Sequence, residues 1–84
     1  MQLTPSDIEI DDEADAAYVR VSAASVARTR EIAEGILVDF DADDQVTGVE
    51  ILGLGKRVGS GDRVSYLNGL VAGLLLGPVR TAAE

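Results

Sequence analysis

The sequence predicts a mainly β domain of the α+β class: an antiparallel meander of four or five strands followed by one C-terminal helix. Three observations carry this. Apolar and polar residues alternate with period two in short runs through the first two-thirds of the chain. The runs are separated by brief breaks rich in Asp and Gly, short enough to favour antiparallel pairing of neighbours. The last third carries one apolar segment, YLNGLVAGLLL, which Pro78 stops.

The first strand is the short run IEI at 8–10, closed by the acidic break DDEAD at 11–15. AAYVRVS at 16–22 sets Ala17, Val19 and Val21 against Tyr18, Arg20 and Ser22, a strand with one face toward a core. VARTREIAE at 26–34 has weaker alternation and runs into a turn at Gly35. ILVDFD at 36–41 sets Ile36, Val38 and Phe40 against Leu37, Asp39 and Asp41. VTGVEIL at 46–52 puts Val49 and Ile51 on one face, and Gly48 inside it signals a bulge or a close backbone approach.

Residues 8–52 are therefore read as the sheet, 53–65 as a glycine-rich loop, 66–76 as the helix and 77–84 as a frayed tail, all in one domain spanning 1–84. Asp62 or Ser65 is placed to cap the helix. The expected core is Val19, Val21, Ile36, Val38, Phe40, Val49 and Ile51 with Leu70, Leu74 and Leu75. Gly69, Gly73 and Gly77 recur every fourth residue, a spacing that lets a helix lie close on a sheet or on its copy. One helix covers only part of one sheet face, which leaves Leu37, Leu52 and Leu54 partly bare. Bare apolar surface marks interfaces. A homodimer is expected, with Leu52, Leu54, Leu70, Leu74 and Leu75 at the contact.

Composition removes several chemistries. There is no cysteine, hence no disulfide or thiolate site, and no histidine, hence no imidazole base, no Ser-His-Asp triad and little zinc chemistry. The absence of cysteine and of a basic, apolar leader in MQLTPSDIEI suggests a cytoplasmic protein. LVAGLLLGPV is about half of the roughly 20 residues a membrane-spanning helix needs. Net charge is −8, with 13 of the 15 acids and 3 of the 7 bases in residues 1–50. Such a front repels nucleic-acid phosphates and suits a cation or a basic protein partner.

VDFDADDQVTGVE at 38–50 is the one metal-like motif. Asp39, Asp41, Asp43 and Glu50 fall at the first, third, fifth and twelfth positions of a helix-flanked calcium loop. Against calcium, Asp44 occupies the sixth position, where that loop needs glycine, and the flanks have strand rather than helix periodicity. The plainer reading is a β-hairpin turn at 41–45, rich in Asp because Asp accepts turn conformations and bonds its own backbone. A weak cation site at these acidic turns is the alternative. DDEAD is read the same way, as a solvated turn that adds to an acidic rim.

GLGKRVGSG fits neither a dinucleotide fingerprint nor a phosphate loop, because its glycines fall at the wrong spacing. Lys56, Arg57 and Arg63 form a small basic cluster, read as solvated or paired with the acidic strands. Carboxylate pairs such as Asp41 with Asp43 are common on acidic surfaces, and three aromatic residues give little from which to wall a cleft around them. No catalytic set and no cofactor site are expected. A carboxylate-based enzyme is the remote alternative.

DDEADAAYVRVS and VARTREIAEGILVDFDADDQVTGVEILG together resemble the bacterial family catalogued as domain of unknown function 2283. The matching positions are Asp11, 13–16, Tyr18, Val19 and Arg20, then Thr29, Glu31 and Ile32, then Gly35, 38–41, Asp43, Val46 and 48–52. The likeness covers about residues 8–58 and departs at Asp44, where the family has Gly. It implies a small antiparallel sheet with no assigned activity, and an antitoxin-like role beside a small basic protein. The combined expectation is a non-enzymatic interaction module that self-associates or holds a basic partner.

Overall fold

The computed structural model describes residues 7–76. The frayed tail expected at 77–84, with Gly77 and Pro78, lies outside the described residues. Five strands, β1 (Ile8–Asp11), β2 (Ala16–Arg20), β3 (Arg28–Ala33), β4 (Ile36–Phe40) and β5 (Val46–Leu52), precede two helices, α1 (Leu54–Val58) and α2 (Arg63–Leu76). All strand pairs are antiparallel and form one sheet in the order β1-β2-β5-β4-β3. The antiparallel sheet with a C-terminal helix is the architecture the alternation predicts.

The strand order follows from which strands can be buried. β3 reads RTREIA and is exposed along its whole length, so it lies at an edge, where charged side chains and a bulge between Glu31 and Ala33 discourage further pairing. β2 and β5 carry alanine, valine and isoleucine at their inward positions and pair with each other in the middle. The chain leaves β2, crosses the ends of β5 and β4, and begins β3 at the far edge, a Greek-key path. Residues 21–27 are tied down on the way: Val21 and Ser22 donate to the Thr47 carbonyl at 2.9 and 3.1 Å, and Ala27 donates to Phe40 at 2.7 Å.

Side chains on one face alternate into the core. Val19, Val49 and Val38 stand in one row across three strands, and Ala17, Ile51 and Ile36 in the next. All six are buried, and Leu54, Leu67 and Val71 close over them. Burial of each large side chain contributes roughly 1.5–3 kcal/mol.

Four expectations change. The segment 53–65 is not a loop throughout: Leu54–Val58 forms a one-turn helix, and α2 begins at Arg63 rather than Tyr66. Leu54, expected at an interface, is 1% exposed, because α1 turns it under the sheet as a core residue. The helix presents Leu67 and Val71, one turn apart, to the core, while Leu70, Leu74 and Leu75 are half-buried at its flanks, as are Val21 and Phe40 beside the sheet rows. Gly69 and Gly73 do not pack on the sheet: a Cβ added at either meets nothing within 4 Å. Of the two capping candidates Asp62 is the cap, its carboxylate accepting the Ser65 amide at 2.9 Å. The Ser65 hydroxyl first, and then that amide, hold the Asp62 carboxyl below its ordinary pKa.

Candidate functional site

The helices cover one face of the sheet. The residues between the buried rows point the other way, so the register fixes what this second face, uncovered among the described residues, presents. Its central row runs Glu9–Tyr18–Glu50–Leu37–Glu31 across all five strands. On one side lie Arg20, Gly48, Asp39 and Thr29, on the other Asp11, Ala16 and Leu52. The three glutamates of the central row are exposed, Tyr18 and Leu37 are half-buried, and Leu52 is 41% exposed. Four exposed carboxylates and the half-buried Asp39 thus stand around one arginine and three partly bare apolar or aromatic side chains.

A hydrogen-bonded unit holds this face in shape. The Tyr18 hydroxyl donates to one Asp39 oxygen at 2.8 Å, and the Thr29 hydroxyl donates to the other at 2.5 Å. Tyr18 reaches Asp39 by lying over Gly48, where an added Cβ would sit 1.8 Å from the hydroxyl oxygen. The close approach read from Gly48 in the sequence is this contact, next to a register shift between Asp39 and Phe40. Burial, then the bond to Asp39 and its charge, raise the Tyr18 phenol to a pKa of about 12.

The four calcium-motif carboxylates are not brought together. Asp39 holds Tyr18 and Thr29. Asp41 accepts the amides of Asp43 and Gln45 at 2.8 and 2.9 Å and closes the β4–β5 turn, in which Asp44 takes a left-handed φ of 65°. Asp44 forms an ion pair with Arg28, and Glu50 projects from the middle of β5. Among the described residues no three His, Cys, Asp or Glu side chains are placed to hold a metal ion. VDFDADDQVTGVE is a hairpin.

The second acidic turn does more than form a solvated rim. Asp15, at φ 53°, accepts the Leu54 amide on its carbonyl and the Gly55 amide on its carboxylate, both at 2.9 Å. It caps α1 from a distant turn, where the N-cap residue Gly53 has no side chain to do so. Arg57 and Arg63 are likewise engaged: Arg57 donates to the carbonyls of Leu52 and Glu34, and Arg63 pairs with Asp12 at 2.7 Å. Among the described residues no helix is long and apolar enough to cross a membrane.

Sequence reasoning missed the Tyr18–Asp39–Thr29 unit. Its signal was Gly48 in mid-strand, which announces a close neighbour but does not say which one.

The family model described as Protein of unknown function (DUF2283) matches residues 7–54, more than half of the chain. The matched span takes in all five strands and ends at the first residue of α1. No curated protein and no solved structure matches the chain.

Proposed function

We propose a non-catalytic protein-binding role for this chain, which belongs to the DUF2283 family of proteins of unknown function. The uncovered sheet face is its working surface, and a small basic protein is its partner. The observation that supports this is the row Glu9–Tyr18–Glu50–Leu37–Glu31, which combines charge of one sign with apolar surface. Half-buried Tyr18 and Leu37 interleaved with exposed carboxylates give contact surface beside charge of one sign, and like-signed carboxylates steer a cationic partner toward it. A second copy meeting the same face would set carboxylates against carboxylates. That favours a basic protein there over a homodimer.

The test is calorimetric titration with protamine, an arginine-rich protein, at low and at raised salt. A triple variant of the face, E9Q/E31Q/E50Q, is compared with E13Q/E34Q/D43N, which removes the same charge from exposed positions in the turns. The reading requires the face variant to weaken binding at least about tenfold more than the turn variant, a difference of about 1.4 kcal/mol. Equal losses in the two variants would reduce the effect to net charge and defeat it.

A further inference from the structure

At the β1–β2–β5 end of the uncovered face lies a shallow groove lined by Glu9, Asp11, Ala16, Tyr18, Glu50 and Leu52. Three features of its construction are independent of its charge. The floor is low because residue 16 is alanine, placed between Asp11 and Leu52 by the register. The Tyr18 ring leans over Gly48 toward Asp39, so it walls the groove rather than filling it. Leu52 offers an exposed apolar wall on the other side. Glu9 and Glu50 flank Tyr18 on the neighbouring strands, so their backbones stand about 10 Å apart, two strand spacings.

We propose that this groove is a socket for an arginine side chain of the partner, an inference that rests on reading the uncovered face as the binding surface. The three methylenes of an arginine lie along Leu52 and Ala16. Its guanidinium stacks against the Tyr18 ring, a cation–π contact. Its five N–H donors spread in a plane and reach the carboxylates of Glu9 and Glu50 together. Lysine fills the socket less well, because an ammonium is a compact, strongly hydrated charge that neither bridges two separated carboxylates nor stacks flat on a ring. Acidic and neutral side chains gain nothing there. The groove is ready without rearrangement, because Asp39 and Thr29 fix the tyrosine before any ligand arrives.

The experiment is an amide-resolved NMR titration of the full chain with a capped Gly-Arg-Gly peptide, with Gly-Lys-Gly, and with a longer arginine-rich peptide. The expected result is that the arginine tripeptide shifts the amides of Glu9, Ala16, Tyr18, Glu50 and Leu52 and binds at least about fivefold more tightly than the lysine tripeptide, about 1 kcal/mol. E9Q/E50Q abolishes the tripeptide shifts. E31Q, on the same face but outside the groove, leaves them intact while weakening the longer peptide. These three glutamates are exposed, and preserved amide dispersion establishes that the variants fold.

Shifts from the long peptide alone, or equal binding of arginine and lysine spread over residues 31, 37 and 39, would overturn the socket and leave the face reading standing. No shift with any peptide at low salt would overturn both. Concentration-dependent shifts of the groove amides without peptide would assign the face to a second copy and overturn both as well.

Discussion

The Tyr18 hydroxyl donates to the Asp39 carboxylate at 2.8 Å across the backbone of Gly48, so β2 and β4, which do not pair with each other, are tied together over the strand between them. The bond holds the Tyr18 ring over Gly48 and keeps it from filling the groove beside it. Gly48→Ala tests this directly. The added methyl would overlap the Tyr18 phenol, so the ring must leave and the bond to Asp39 must break. The expected cost is about 1–3 kcal/mol, the range for forcing a methyl into a filled space. Urea unfolding measures it. An unchanged midpoint would mean that the ring is loosely held.

The same contact sets a pH dependence. Tyr18 titrates at about 12 in the folded chain, against about 10 for an ordinary phenol. Between these values the folded state holds a proton that the unfolded state has released. Its contribution to stability is therefore whole below about pH 10, falls through the window, and is gone above about pH 12. In a Tyr66→Phe background, phenolate absorbance follows Tyr18 alone, and the midpoint is expected near 12. Adding Asp39→Asn removes a charge and an acceptor, so the midpoint moves down. A midpoint near 10 in a chain that is still folded would contradict the burial of Tyr18.

How much of this was legible in the sequence divides along physical lines. Period-two alternation is local, so the strands and their inward faces at Val19, Val38, Val49 and Ile51 could be read directly. The pairing of β2 with β5 is a decision among non-local partners, made by the poverty of β3 in apolar residues, and nothing within β2 states it. The helix face was misplaced because nearly every residue from Tyr66 to Leu76 is apolar or small, leaving no polar side to orient it. Leu67 and Val71 win by geometry rather than by hydrophobicity. The hairpin reading of Asp41 was available because an aspartate at a turn bonds its own backbone. The role of Asp15 was not, since its partners are 39 and 40 positions away at Leu54 and Gly55.

Asp15→Ala removes the carboxylate that accepts the Gly55 amide and places an ordinary residue at positive φ. Loss of a side-chain cap typically costs about 1 kcal/mol, and alanine lacks the tolerance of aspartate for this conformation. Asp15→Asn keeps an acceptor oxygen and suits the backbone, so most of the stability should return. If Ala and Asn variants unfold at the same denaturant concentration, the side-chain bond contributes nothing.

Thr47 lies in β5 with 2% of its surface exposed, and its hydroxyl has no hydrogen-bond partner. Burying a hydroxyl without a partner is costly, by about 1–3 kcal/mol on the scale of protein substitutions. The backbone carbonyl of Thr47, which receives Val21 and Ser22, is untouched by a change of side chain. Thr47→Val preserves the branched shape and should raise the stability by about 1 kcal/mol in urea unfolding. A loss of that size would show that the hydroxyl is bonded in solution.

Gly69 and Gly73 interrupt α2 where alanine would serve the isolated molecule better. Each glycine costs about 1 kcal/mol relative to alanine in a helix interior, because its backbone gives up more freedom on folding. Nothing among the described residues repays this, since a Cβ at either position meets none of their atoms within 4 Å and neither residue has a positive φ. Gly69→Ala and Gly73→Ala should therefore each stabilise the chain by up to about 1 kcal/mol. Thermal unfolding of the single variants measures it at dilute concentration, and sedimentation at high concentration runs beside it. A variant that is less stable than the parent would show that the outer side of α2 is packed against something in solution. In that case the same variant should also sediment more slowly, because the contact that made glycine necessary has been lost.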